Sequence, residues 1–338
     1  MTKRLLLIIG ALLAAAQLPA ATNLPAALPA STNLLVIKPG SRAETVLSEN
    51  SATNDSVELE FRKVMLADDD AQAEVDKWIQ ENQKFAEKGA GEPNPELNKR
   101  ILARFQRVSD AYEDFLARHT NHARAHLAYA GFLSETKDEH AALPHMEKSR
   151  ELDPTNPAVW NNLANYWGHY GEPKKAFEFY TKAIELDPEE PVYYHNFGTT
   201  VYLFRKDARE HYNIDEQQVF DKALTLYSNS LRLDPTNFPI ATDVAQSFYG
   251  IRPFRPEPAL RAWTNALAVA HDDVEREGTY VHFARINWMA GRTNVAAGYL
   301  NLVTNTMYAD LKRKIQSNLD RPFVEWTPTN APQKSADK

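Results

Sequence analysis

The sequence predicts an all-α solenoid of about five stacked helical hairpins flanked by capping helices. Three observations predict it. The dipeptide Asp-Pro recurs at 153–154, 187–188 and 234–235, and the first two prolines, Pro154 and Pro188, stand 34 residues apart. Repeats of this period are helix–turn–helix arrays. Between these marks apolar residues return with the spacing of one helix face. Midway through the clearest unit, Gly171 and Pro173 interrupt that pattern as a turn and a new helix start would.

The first 21 residues read as a signal peptide. Lys3 and Arg4 precede an apolar run from Leu5 to Ala16, and small residues follow at Ala20 and Ala21. The run is short for a bilayer span, so a cleaved signal and a periplasmic or secreted protein are expected. An uncleaved anchor is the alternative, and a membrane is expected as a partner only in that case. With no cysteine in the chain, a bacterial lipid anchor, disulfides and thiolate metal sites are excluded.

Residues 22–67, rich at first in Ala, Pro, Ser, Thr and Asn, are expected to be a flexible linker and an extended lead-in. Leu34 to Ile37 is an apolar interruption able to dock. Val57 to Phe61 alternates apolar and acidic residues, as a short strand or an extended lead-in would. Capping helices are expected over 68–122. Asp68, Asp69 and Asp70 suit a helix N-terminus, and the ligand spacing of a calcium loop is missing there. That helix should run to about Glu87 and break at Gly89, Gly91, Pro93 and Pro95. A second helix places Leu97, Ile101, Leu102, Phe105, Val108, Tyr112, Phe115 and Leu116 on one stripe.

Repeats are expected over 123–310. The second is the fullest: Trp160, Leu163, Ala164 and Trp167, then Gly171 and Pro173, then Ala176, Tyr180, Ala183 and Pro188. A small residue at Ala164 lets two helices approach, and large neighbours fill the space between hairpins. Pro188 ends the second helix. The first unit carries Tyr129, Ala130, Leu133, Ala142, Met146 and Pro154. The third carries Tyr194, Phe197, Gly198 and Val201, then Ala223, Tyr227 and Pro235, with an insertion between about Phe204 and Gln217. The fourth carries Ala241, Val244, Ala245, Phe248, Ala259, Trp263 and Ala266, with a stretched turn from Gly250 to Pro258. The fifth carries Tyr280, Phe283, Ala284, Gly291, Ala296, Leu300 and Val303. Residues 311–338 should form a polar capping helix and a tail, whose Phe323, Val324 and Trp326 could fold back onto the last helices.

The second unit resembles the tetratricopeptide repeat, with Ala164 in place of its usual small Gly and Trp167 in place of its Tyr. That resemblance implies a right-handed superhelix with a concave groove lined by the first helix of each hairpin. It places Asn161, Asn162, Asn165, His195, Asn196, Thr199, Tyr202, Thr242, Gln246, Tyr249, Arg285 and Trp288 in that groove, with Asp243 and His282 among them. Amides can grip an extended peptide backbone and aromatics add rigid contact area. The lysines of the family's carboxylate clamp are missing, so acidic C-terminal peptides are not the expected ligand.

Other chemistry finds little purchase. The net charge of −7 argues against a nucleic-acid surface. His119, His122 and His126 are spaced as metal ligands could be, but the helix boundary near Asn121 breaks the geometry. His140 and His145 read as surface residues. Hydrolase-elbow, zinc-protease, phosphate-loop and dinucleotide signatures do not occur. The expectation is therefore a non-catalytic scaffold that takes a protein or peptide partner, without metal or cofactor. Accessory docking through the insertions at 205–217 and 250–258 is the alternative, and a helical-repeat enzyme of cell-wall chemistry ranks behind it.

Overall fold

The computed structural model describes residues 56–86, 94–136, 138–321 and 323. The predicted signal, the linker and Leu34–Ile37 lie outside them, as do Val324 and Trp326. Among the described residues there are fourteen α-helices, one 3₁₀ turn and no strand. No described helix is long and apolar enough to cross a membrane. The chain divides into two compact units at Ile214/Asp215.

The first unit opens with α1 (Ser56–Ala86) paired with α2 (Asn94–Arg118). Here the structure corrects the sequence reading. Val57 to Phe61 is helical, and Asp68–Asp70 lie inside α1 rather than at its start. The reason is a stripe at Phe61, Val64, Ala71 and Val75, all buried, whose helical register also includes Asp68. Asp68 is buried and compensated: Tyr112 donates to it at 2.9 Å and Gln72 at 2.7 Å. Burial and the neighbouring Asp68 raise the Tyr112 hydroxyl far above its ordinary pKa. On α2 the predicted stripe is buried at Leu97, Val108, Tyr112, Phe115 and Leu116, but Leu102 points to solvent.

Two hairpins follow: α3 (Ala123–Glu135) with α4 (Glu139–Leu152), and α5 (Pro157–His169) with α6 (Pro173–Leu186). The recurring Asp-Pro now has a local explanation. At 153 and 187 the aspartate accepts the backbone N–H two residues on, Thr155 at 3.1 Å and Glu189 at 3.0 Å. The proline prevents the helix from continuing. One residue later Asn156 and Glu190 cap the next helix, which begins on Pro157 or Pro191. Gly171 takes φ +85°, the left-handed conformation that closes the α5–α6 turn.

The unit ends with α7 (Pro191–Leu203) and α8 (Arg205–Tyr212). The insertion is thus largely helical, not an open loop. Ala208 is buried, and the His211 and Tyr212 rings pack 5.5 and 5.6 Å from Phe177 of α6. A continuous core runs through this unit, including Phe61, Phe115, Leu127, Phe132, Leu163 and Tyr193.

The second unit starts with α9 (Glu216–Leu233), whose Asp215 and Gln218 form a reciprocal capping box. It continues as α10 (Phe238–Ser247) with α11 (Pro256–Ala268), then α12 (Asp273–Met289) with α13 (Thr293–Asn301). Gly291, at φ +75°, repeats the role of Gly171. A 3₁₀ turn at Thr306–Tyr308 leads into α14 (Ala309–Gln316), the expected polar cap. Tyr308 and Ile315 close the core formed by Val281, Ala284, Ala296, Leu300 and Val303.

The stretched turn between α10 and α11 is fastened to α9. Gln217 donates its amide to the Arg252 carbonyl. Arg255 donates to Asp221 and to Gln217 Oε1, each at 2.7 Å.

Candidate functional site

In the first unit the candidate residues lie on α5 and α7, and they are paired with one another. Asn196 donates to Asn161 Oδ1 at 3.0 Å, and Asn161 donates to Asn162 Oδ1 at 3.1 Å. Tyr180 of α6 donates to Asn165 Oδ1 at 2.7 Å, and Thr200 Oγ1 lies 3.1 Å from the Tyr180 hydroxyl. Asn161, Asn162, Asn165, His195, Asn196 and Tyr202 are all buried, while Thr199 is half-buried. The sequence reading expected a row of side chains open to a ligand. The structure instead spends much of the amides' capacity inside the array, because a buried amide is costly until its donors and acceptors are matched. Tyr180 and Thr200, which complete this network, were legible only as core and helix positions.

In the second unit the candidates build an aromatic and imidazole cluster. His282 of α12 stacks on Trp263 of α11 at 4.0 Å with the rings 7° from parallel. The Tyr249 hydroxyl lies 2.9 Å from His282 Nδ1. The Arg285 guanidinium sits 4.3 Å from the Tyr249 ring centre. Burial, and then the Arg285 charge, hold His282 neutral by lowering its pKa to about 3. Burial raises the Tyr249 hydroxyl, against the opposing effect of Arg285. Thr242 is buried and donates to the Pro239 carbonyl at 2.9 Å. Gln246 and Trp288 are half-buried, and the Trp288 indole donates to the Arg321 carbonyl at 3.0 Å.

The three histidines with metal-like spacing go to separate partners. His119 pairs with Glu60 at 3.2 Å. His122 caps α3, accepting from Ala125 N–H, and pairs with Glu58 at 3.0 Å. These contacts hold α1 on the first hairpin, together with Arg124 on Glu58. His126 meets the Thr120 carbonyl and, at 2.9 Å, His145. His145 is therefore not the surface residue expected. Burial and then His126 lower its pKa to about 4, and burial lowers that of His126 as well. Among the described residues no group of three His, Asp or Glu could hold a metal ion.

Residues 157–190, which span α5, α6 and the turn after them, match the model of the tetratricopeptide repeat. The chain carries a tetratricopeptide repeat. The repeat protein is 27% identical over 114 residues to the photosystem I assembly protein Ycf3 of Prochlorococcus marinus, covering 32% of this chain and 65% of that one. It is 27% identical over 90 residues to the Ycf3 of Rippkaea orientalis, covering 26% of this chain and 52% of that one. It thus spans between half and two thirds of the length of these curated relatives. Among solved structures it is similar to PilW, a type IV pilus biogenesis factor, with a TM-score of 0.51 and 14% identity over 72% of this chain and 98% of that one. It is also similar to Pseudomonas aeruginosa PilF, with a TM-score of 0.46 and 17% identity over 73% of this chain and 99% of that one. At these identities the likeness to solved structures is one of fold.

Proposed function

We propose that this protein is a non-catalytic scaffold that holds a peptide or partner protein along the first helices of its hairpins. One observation carries the reading: within each unit, polar and aromatic side chains at matching repeat places are gathered on those helices and fixed by their neighbours. The buried amides fix these helices, so that half-buried places on them, such as Thr199 and Gln246, meet an extended chain at low entropic cost. The relatives named for photosystem assembly support an assembly role in general terms. We place the protein outside the cytoplasm, on the basic, apolar and small-residue pattern of residues 1–21.

The inserted segments speak for the helix faces rather than for docking through loops. Helix α8 packs on Phe177, and the 250–255 turn is tied to α9. Each is braced by the chain's own helices.

The test is a displayed random-peptide selection against the mature chain. Peptides recovered by the wild type should bind at least about tenfold more weakly to Thr199→Arg or to Gln246→Arg, each of which puts a long cation on a half-buried first-helix place. Circular dichroism should be unchanged. Selected peptides that bind both variants as well as wild type would refute the reading.

A further inference from the structure

The tripeptide Arg-Pro-Phe occurs twice in this chain, at Arg252–Phe254 and at Arg321–Phe323. The first lies in the stretched turn before α11. The second follows α14. In the folded second unit the two phenylalanine rings meet at a tilt of 56°, centroids 6.4 Å apart. Phe323 also meets Trp288 edge-on at 5.4 Å and 75°. Each tripeptide has its arginine carbonyl held by a side-chain N–H. Gln217 holds that of Arg252 and the Trp288 indole holds that of Arg321, the latter at 3.0 Å.

The two sides of this contact are unequally built. Phe254 stands on a turn braced from within, since Arg252 donates to the Tyr249 and Ile251 carbonyls, each at 2.8 Å. The same turn is tied to α9 through Arg255. Trp288 sits near the end of α12, a helix packed on both neighbours. The opposing Arg321–Phe323 stretch lies beyond the last helix, where the Arg321 N–H donates to the Asn318 carbonyl at 3.0 Å and its links to the rest of the unit are the indole hydrogen bond and the two ring contacts. Proline at the central place keeps the residue before it out of helix, so such a stretch presents a carbonyl and, two residues on, a ring. A tethered segment of that kind binds because its effective concentration is high, not because its contacts are many.

We propose that Trp288 and Phe254 form a receptor for an extended segment carrying a proline followed by an aromatic ring, and that this chain's own Arg321–Phe323 is its resident occupant. The recognition elements are the Trp288 N–H for the carbonyl and the Trp288 and Phe254 rings for the aromatic side chain. A partner segment of the same chemistry then binds only by displacing the tail, so the tail sets the threshold for binding. Trp288 also belongs to the first-helix set proposed above, but the two readings fail separately, since Thr199 and Gln246, altered in that test, take no part here.

The experiment uses the full chain and a fluorescein-labelled peptide of residues 318–327, followed by fluorescence anisotropy. Phe323→Ala frees the receptor, and this variant should bind the peptide at least about tenfold more tightly than wild type does. Adding Trp288→Phe, which keeps a ring but removes the N–H, should weaken that binding, and adding Phe254→Ala should do the same from the other wall. A peptide lacking its own phenylalanine should not bind. Equal binding to wild type and Phe323→Ala, or binding indifferent to both wall substitutions, would overturn the proposal. So would a wild-type dimer in light scattering that Phe323→Ala dissolves, because the tail would then serve a second copy.

Discussion

The hairpins around α5–α7 and those around α10–α12 offer polar residues at the same repeat places but pair them by different chemistry. In the first, Asn196, Asn161 and Asn162 hand hydrogen bonds from helix to helix, and Asn165 is held by Tyr180. In the second, Trp263, His282, Tyr249 and Arg285 stack and bond around one imidazole. Amides do not titrate, and burial raises the Tyr180 hydroxyl, so the first network keeps the same charge from neutral to acidic pH. An imidazole does titrate, so the second is stable only while it stays neutral. The shared backbone frame fixes where side chains meet and leaves open what they exchange.

The largest effect is expected in the amide network. Asn161→Ala takes an acceptor from Asn196 and a donor from Asn162, all buried. It should cost about 2–3 kcal/mol, by the penalty for stripping buried polar groups of a partner. Urea unfolding should show that loss undiminished between neutral and mildly acidic pH. A substitution that costs nothing would mean the network is incidental to stability.

Acid should separate the regions next. His282 is held at about 3 when folded and returns to 6.5 when unfolded. As pH falls below 6.5 the unfolded chain gains a proton that the native chain refuses, so stability declines until the folded pKa is reached. The loss is on the order of 2 kcal/mol after allowance for screening. His282→Gln should flatten this part of the pH profile, and the ring's C2 proton resonance should not titrate above about pH 4. A ring titrating near its ordinary pKa would remove the contrast.

The smallest effect should be the same in both regions. Gly171 and Gly291 have positive φ, and nothing lies within 4 Å of a methyl group placed on either. Alanine there is strained only in the backbone, costing about 1 kcal/mol at each turn. Unequal losses would show that the two turns are not equivalent.

Much of the fold was legible because repeats state their own period. Asp-Pro, the following cap and Gly171 are local signals, and each forms the turn it announces. Asp68–Asp70 misled because three acids resemble a helix start, whereas the apolar stripe through Phe61, Val64 and Ala71 continues past them. The insertion after Leu203 was legible as extra length but not as a helix packed on Phe177. Most of the candidate residues fall on α5, α7, α10 and α12, yet their mutual pairing was hidden, since Asn161 and Asn196 are 35 residues apart. The Arg-Pro-Phe duplication was present in the sequence all along, without a sign that the two copies meet.

The sequence by itself determined the all-α class, most turn positions and the repeat frame, because caps, prolines and glycines act within a few residues of chain. Only the tertiary structure decided that the asparagines bond to each other, that His282 is neutral against Trp263, and that Phe323 rests between Phe254 and Trp288. These depend on groups brought together across helices, where burial turns an ordinary amide, imidazole or ring into one that must find a partner.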